Sequence, residues 1–284
     1  MSIRRILTLV AGRGYDDRVL DLAALLARGL DAHVDAFLVR PNPRDAAPLF
    51  VEGMTGGAFE QIMTEIERDA DQVAANAKDA FERWRARCQL PLAAEPGSAS
   101  VGWCEETGSE TDHVARRGRL ADLIVIGRPA DDRSGPSIIT AETALLETGR
   151  PIILVPPNGS SAPPRRLAIA WNGSVEASRA VALGMPLIER ADQVAIVTVD
   201  EASGMVQSAH ELADYLHWHG IEAKVEAITP AEGTGPDILG ATARLGTDLL
   251  VMGAYTHSRL RELIFGGATQ HILYEAPLPV LMVY

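Results

Sequence analysis

The strongest chemical potential lies in one stretch, Gly253-Ala254-Tyr255-Thr256-His257-Ser258-Arg259-Leu260-Arg261, which runs on to Gly266-Gly267-Ala268-Thr269. Small residues at 266–268 would expose backbone N–H groups where a helix is expected to start, and such a start is a seat for an anion. His257, Arg259 and Arg261 add positive charge in a chain whose net charge is −12. That overall charge makes nucleic acid and anionic lipid poor partners, because both would repel it. The same glycines would equally serve a tight turn and close helix packing, so their types alone leave both readings open.

Other chemical patterns are incomplete. The chain has no G-x-x-x-x-G-K-[ST] and no G-x-S-x-G. His210-Glu211-Leu212-Ala213-Asp214 lacks the second histidine of a zinc-protease helix, and His217 and His219 are spaced to face apart on a helix. All three are expected on a helix surface. Gly12-Arg13-Gly14-Tyr15-Asp16-Asp17 begins like a dinucleotide fingerprint, but Asp17 stands at the third glycine. Its carboxylate would repel a pyrophosphate, so a plain strand-to-helix turn is expected. Cys88 and Cys104 are too few for a disulfide framework or a four-thiolate zinc site, and reduced thiols are expected. No catalytic pair or metal set emerges, so the chain is not expected to be an enzyme.

The elements that must position the 253–269 stretch come from a repeat. Arg4-Arg5-Ile6-Leu7 is echoed by Arg165-Arg166-Leu167-Ala168. Ala121-Asp122-Leu123-Ile124-Val125-Ile126-Gly127 is echoed by Thr247-Asp248-Leu249-Leu250-Val251-Met252-Gly253. Arg150-Pro151-Ile152-Ile153-Leu154-Val155 is echoed by Leu278-Pro279-Val280-Leu281-Met282-Val283. Three echoes in one order indicate a duplicated domain. The expected domains are 1–157 and 165–284, joined by a Pro/Ser/Gly-rich linker.

Within copy two, strands are expected at 167–171, 194–199, 223–228, 249–252 and 280–283, with helices at 174–190, 207–219, 235–245 and about 260–275. Apolar strands alternating with helices imply a doubly wound parallel sheet covered on both faces. Copy one carries an insertion at about 41–90. It consists of a Pro/Gly-rich loop, 41–57, and a long helix whose apolar stripe is Phe59, Ile62, Met63, Ile66, Val73, Phe81 and Trp84. The stripe suits a helix packed on its own sheet, or a lid or partner surface. In such sheets ligands bind at the carboxyl ends of the strands where the order reverses, which would bring Trp171-Asn172-Gly173-Ser174 opposite the 253–269 stretch.

These features resemble the universal stress protein family. The carriers are Asp-Leu-Leu-Val-Met-Gly at 248–253, Gly-Gly-Ala-Thr at 266–269, Pro-Val-Leu-Met-Val at 279–283, and Ala170-Trp171-Asn172-Gly173-Ser174 followed by Ala177-Ser178-Arg179-Ala180. The resemblance implies two five-stranded α/β domains of strand order 3-2-1-4-5, packed as an intramolecular pseudo-dimer through terminal strands Ile152–Val155 and Val280–Val283. It also implies a cytoplasmic stress-response protein that acts by binding a ligand or partner, with a homodimer as a further assembly.

The nucleotide-binding members of that family carry Gly-x-x-Gly and, after a spacer, Gly-[Ser/Thr]. Gly253 and Gly266 match the first and third glycines, Thr256 replaces the second, and Gly267 replaces the hydroxyl residue. Asn172 stands where an aspartate usually reads the adenine. Copy one departs further, with Arg128-Pro129-Ala130 after Gly127. Candidate nucleotide or anion contacts are therefore Asn172, Gly173, Gly253, Thr256, His257, Arg259, Gly266, Gly267, Ala268 and Thr269, and the candidate cofactor is ATP or another adenine nucleotide. The alternative function is an ATP-binding, weakly hydrolysing switch using the same loop. A degenerate dinucleotide enzyme on this fold is a third reading.

Overall fold

The computed structural model describes residues 2–12, 16–42, 56–92, 95–129, 136–158, 162–200, 204–255 and 267–284. The chain forms two compact units, Arg4–Thr148 and Gly149–Tyr284 together with Met1–Ile3.

The first unit runs β1 (Arg5–Leu9), α1 (Asp16–Leu30), β2 (His33–Arg40), α2 (Gly56–Cys88), β3 (Ser100–Thr107), α3 (Glu110–Gly118), β4 (Leu123–Gly127) and α4 (Ile138–Glu147). Its strands lie in the order β3-β2-β1-β4, and every pairing of β1 and β2 is parallel. Parallel strands need helical crossovers, which cover both faces; Leu123, Ile124, Val125 and Ile126 of β4 are all buried in consequence. Asp16 and Asp17 open α1, where carboxylates suit the positive end of a helix, and Leu20, Ala23 and Ala27 turn its apolar face inward.

The second unit runs β5 (Ile152–Val155), β6 (Arg166–Ala170), α5 (Val175–Ile188), β7 (Gln193–Val199), α6 (Met205–His217), β8 (Ala223–Ile228), α7 (Thr234–Leu245), β9 (Leu249–Gly253), α8 (Ala268–Glu275) and β10 (Val280–Val283). Its strand order is β5-β10-β9-β6-β7-β8. Read from β8, the last five strands have the expected order 3-2-1-4-5. The strands expected to join do so: β5 pairs antiparallel with β10, Leu154 opposite Val280 and Ile153 opposite Leu281. All four β5 side chains are buried. No described helix is long and apolar enough to cross a membrane.

The duplication is visible in hydrogen bonds as well as in sequence. The Asp122 carboxylate accepts from the Arg4 and Arg5 N–H groups at 2.9 and 3.0 Å. The Asp248 carboxylate accepts from Arg165 and Arg166 at 3.1 and 3.0 Å. Each aspartate thus ties the start of the central strand to the start of its neighbour.

The inserted helix α2 has 33 residues, roughly 50 Å of helix at 1.5 Å per residue. Its second half packs on α1 and β2 of its own unit, as one of the two expected arrangements had it. Ala77, Phe81 and Trp84 are fully buried there. The Trp84 indole N–H donates to Asp21 at 3.0 Å, and the Phe81 ring lies 5.1 Å from that of Trp103. Farther toward the amino end Ile62, Met63, Ile66 and Val73 are only half-buried. Residues 43–55 of the expected loop and the Phe59 side chain lie outside the described residues.

Candidate functional site

The second unit gathers its candidate residues at the carboxyl ends of two adjacent strands. β6 and β9 are parallel neighbours, with Ala170 opposite Met252, so the 171–174 loop and the Gly253 turn leave the sheet side by side. This is where the strand order reverses. Gly173 has φ +69°, a left-handed conformation that favours glycine, and the Ser174 N–H donates to Asn172 Oδ1 at 3.1 Å. Ser174 then caps α5 by accepting from the Ala177 N–H at 3.1 Å. The Trp171 indole donates to Ser208 of α6 at 3.0 Å, which fixes the loop from its other side. The sequence carried no signal for that partner, because Ser208 belongs to an unremarkable helical turn.

Gly253 is a glycine for packing. A Cβ there would come 2.4 Å from the Ala177 nitrogen and 2.8 Å from the Glu176 Cβ, so the first turn of α5 occupies the space a side chain would need. The backbone leaves β9 through Tyr255 at φ +57°, in the left-handed region. The Tyr255 N–H donates to Thr269 Oγ1 at 3.2 Å. Thr269 is buried, so this bond ties the loop leaving β9 to the first turn of α8. Gly267 is the N-cap of α8 and offers no side chain to its orphan N–H groups. Asn172, Gly173, Gly253, Gly267, Ala268 and Thr269 are thus placed around one end of the β6–β9 pair. Thr256, His257, Arg259 and Gly266 lie outside the described residues.

The corresponding end of the first unit is filled by its own chain. Asp16 accepts from the Ala11 and Gly12 N–H groups at 3.0 and 2.7 Å, so a carboxylate already occupies the amides that follow β1. Gly12 lies directly under α2, where a Cβ would come 2.5 Å from the Val73 carbonyl oxygen. The last helix of this unit, α4, is capped by Ser137, which accepts from the Thr140 N–H at 3.0 Å. Thr140 Oγ1 in turn donates to Glu110 at 2.5 Å. Residues 13–15 of the expected turn lie outside the described residues, and Asp16 rather than Asp17 supplies the blocking carboxylate.

His210, His217 and His219 are exposed on or just beyond α6, and His217 Nδ1 lies 2.7 Å from Glu222. Both cysteines are free thiols. Among the described residues no cluster of His, Cys, Asp and Glu is arranged to hold a metal ion.

Residues 153–284 match the family model described as the universal stress protein family. That stretch belongs to the universal stress protein family. The whole chain also matches solved structures. It is similar to a universal stress protein from Archaeoglobus fulgidus DSM 4304 at 13% identity and TM-score 0.65, covering 98% of this chain and 97% of that one. It is similar to a protein described as a universal stress protein from Pseudomonas aeruginosa UCBPP-PA14 at 14% identity and TM-score 0.57, covering 99% and 93%. A functionally unknown protein from Pseudomonas aeruginosa PAO1 matches at 15% identity and TM-score 0.59, covering 99% and 92%. At these identities the likeness shows the fold alone. Searching by sequence finds no matching curated protein.

Proposed function

We propose that this protein is a cytoplasmic stress-response protein that works by binding, and that its second unit takes an anionic ligand, an adenine nucleotide first among candidates, without turning it over. One observation carries the reading: the two copies treat equivalent backbone groups differently. In the first unit Asp16 and the Ser137 cap consume the N–H groups at the strand and helix ends. In the second, Gly267 opens α8 with no side-chain cap, beside the Gly173 turn. An uncapped helix start favours negative charge. Glu176 in the first turn of α5 opposes it, so the anion sits on the α8 side of the β6–β9 end.

Calorimetric titration with ATP tests this. Gly267→Ser, which gives α8 the kind of side-chain cap that Ser137 gives α4, should weaken binding severalfold. Arg259→Ala should weaken it, and Arg128→Ala in the first unit should do little. Unchanged affinity in that variant would mean the glycines serve packing alone. Turnover with magnesium should match buffer. Robust turnover lost on changing His257 or Arg259 would favour the hydrolysing switch instead.

A further inference from the structure

The outermost strand of the second unit, β8, pairs with β7 on one side and with no described strand on the other. Its sequence is Ala223-Lys224-Val225-Glu226-Ala227-Ile228. Most strands of this unit are buried nearly end to end, whereas in β8 Lys224 and Ala227 are exposed and Ala223, Val225 and Glu226 half-buried. An edge of this kind is a template for another strand, and a lone edge lysine is the usual block against it. Here the lysine is answered two residues on by a glutamate.

Glu226 lies 3.9 Å from Arg244 of α7, so Lys224 and Glu226 face the α7 side of the sheet. Alternation puts Ala223, Val225 and Ala227 on the other face, which α6 covers. That helix ends with Tyr215 45% exposed, and Trp218, just beyond it, is 88% exposed, a large apolar side chain left in water.

We propose that β8 is a homodimerisation edge, pairing antiparallel with β8 of a second copy about a two-fold axis through Val225. The charges and the length of overlap together select that register. A two-fold axis across an antiparallel pair must pass through a residue for both sheets to keep their faces aligned. Centred on Val225, each Lys224 stands opposite the partner subunit's Glu226, and Ala223 opposite the partner subunit's Ala227. Centred on Lys224, two lysines meet; centred on Glu226, two glutamates meet. Opposite charges across strands stabilise, and like charges directly opposed destabilise. The pairing extends the sheet, and the exposed Tyr215 and Trp218 add apolar area on the α6 side.

Analytical ultracentrifugation of the full-length protein tests this at low salt, where exposed charges are least screened. The wild type should show a concentration-dependent dimer. Lys224→Glu should weaken it by about tenfold or more, and Lys224→Glu with Glu226→Lys should restore it. In a Cys88→Ser, Cys104→Ser background, Val225→Cys should cross-link to itself on oxidation, because only the residue on the axis faces its own copy, while Lys224→Cys should not. A wild type that stays monomeric at high concentration overturns the proposal. So does a dimer indifferent to Lys224→Glu, or cross-linking that favours position 224.

Discussion

Asp35 on β2 shows how one side chain can carry a measurable pH dependence. Burial alone would raise its carboxyl, but His33, whose Nε2 lies 3.6 Å away, and the hydrogen-bonded Arg5 guanidinium outweigh it and hold the group at about 2. Arg5 Nε donates to it at 2.5 Å. An unfolded aspartate titrates near 3.9, so the folded state binds the proton more weakly. The stabilisation is therefore present above about pH 4 and lost as pH falls through the folded value. Asp35→Asn should cost roughly 1 kcal/mol at neutral pH, discounted for the water that reaches the pair, and the cost should vanish near pH 2. Urea unfolding at the two pH values measures it; an equal cost at both would mean the carboxylate contributes shape and not charge.

At this same scale the sequence was readable where a residue's role repeats. Asp122 and Asp248 appeared in matching echoes, and each proves to bind the paired arginine N–H groups before its central strand. It was unreadable where a role depends on tertiary approach. Gly253 looked like part of a ligand loop, yet the backbone of α5 alone demands a glycine there. Asp17 looked like the residue that keeps an anion away, and only the fold turns the Asp16 carboxylate onto Ala11 and Gly12.

Among the elements, strands were the most legible, because each is a short apolar run buried on both faces. β5, β8 and β10 fall on the expected residues, β7 and β9 differ by a residue at one end, and β6 is shifted by one residue. Helix ends were less so, since caps such as Gly204 and Gly233 carry no side-chain signal. The long inserted helix was legible as amphipathic, but the stripe could not tell that its two halves differ. Trp84 in the second half is fully buried and donates to Asp21. Ile66 in the first half is only half-buried. Trp84→Ala should therefore destabilise the protein by about 3–5 kcal/mol, a large-to-small core change. Ile66→Ala should stay under about 1 kcal/mol, as for a partly exposed site. Denaturant unfolding of both variants checks this, and comparable losses would mean the first half is as firmly seated as the second.

For the molecule as a whole, the covalent repeat and the structural units divide the chain at different places. By sequence β5 ends copy one; in the structure it groups with Gly149–Tyr284, where β10 is its antiparallel partner. β5 reads Ile152-Ile153-Leu154-Val155, and its four side chains are all buried. A fragment of residues 1–158 would keep this strand and lose its partner, leaving an apolar edge open to water. Such an edge recruits another chain. The fragment should dimerise or precipitate. Residues 149–284 keep β5 paired to β10 and should remain soluble and unfold cooperatively. Light scattering after size exclusion, with the two fragments at equal concentration, separates the outcomes. A stable monomeric 1–158 would mean that β5 can be covered within the first copy, and that its pairing with β10 contributes little to holding the chain together.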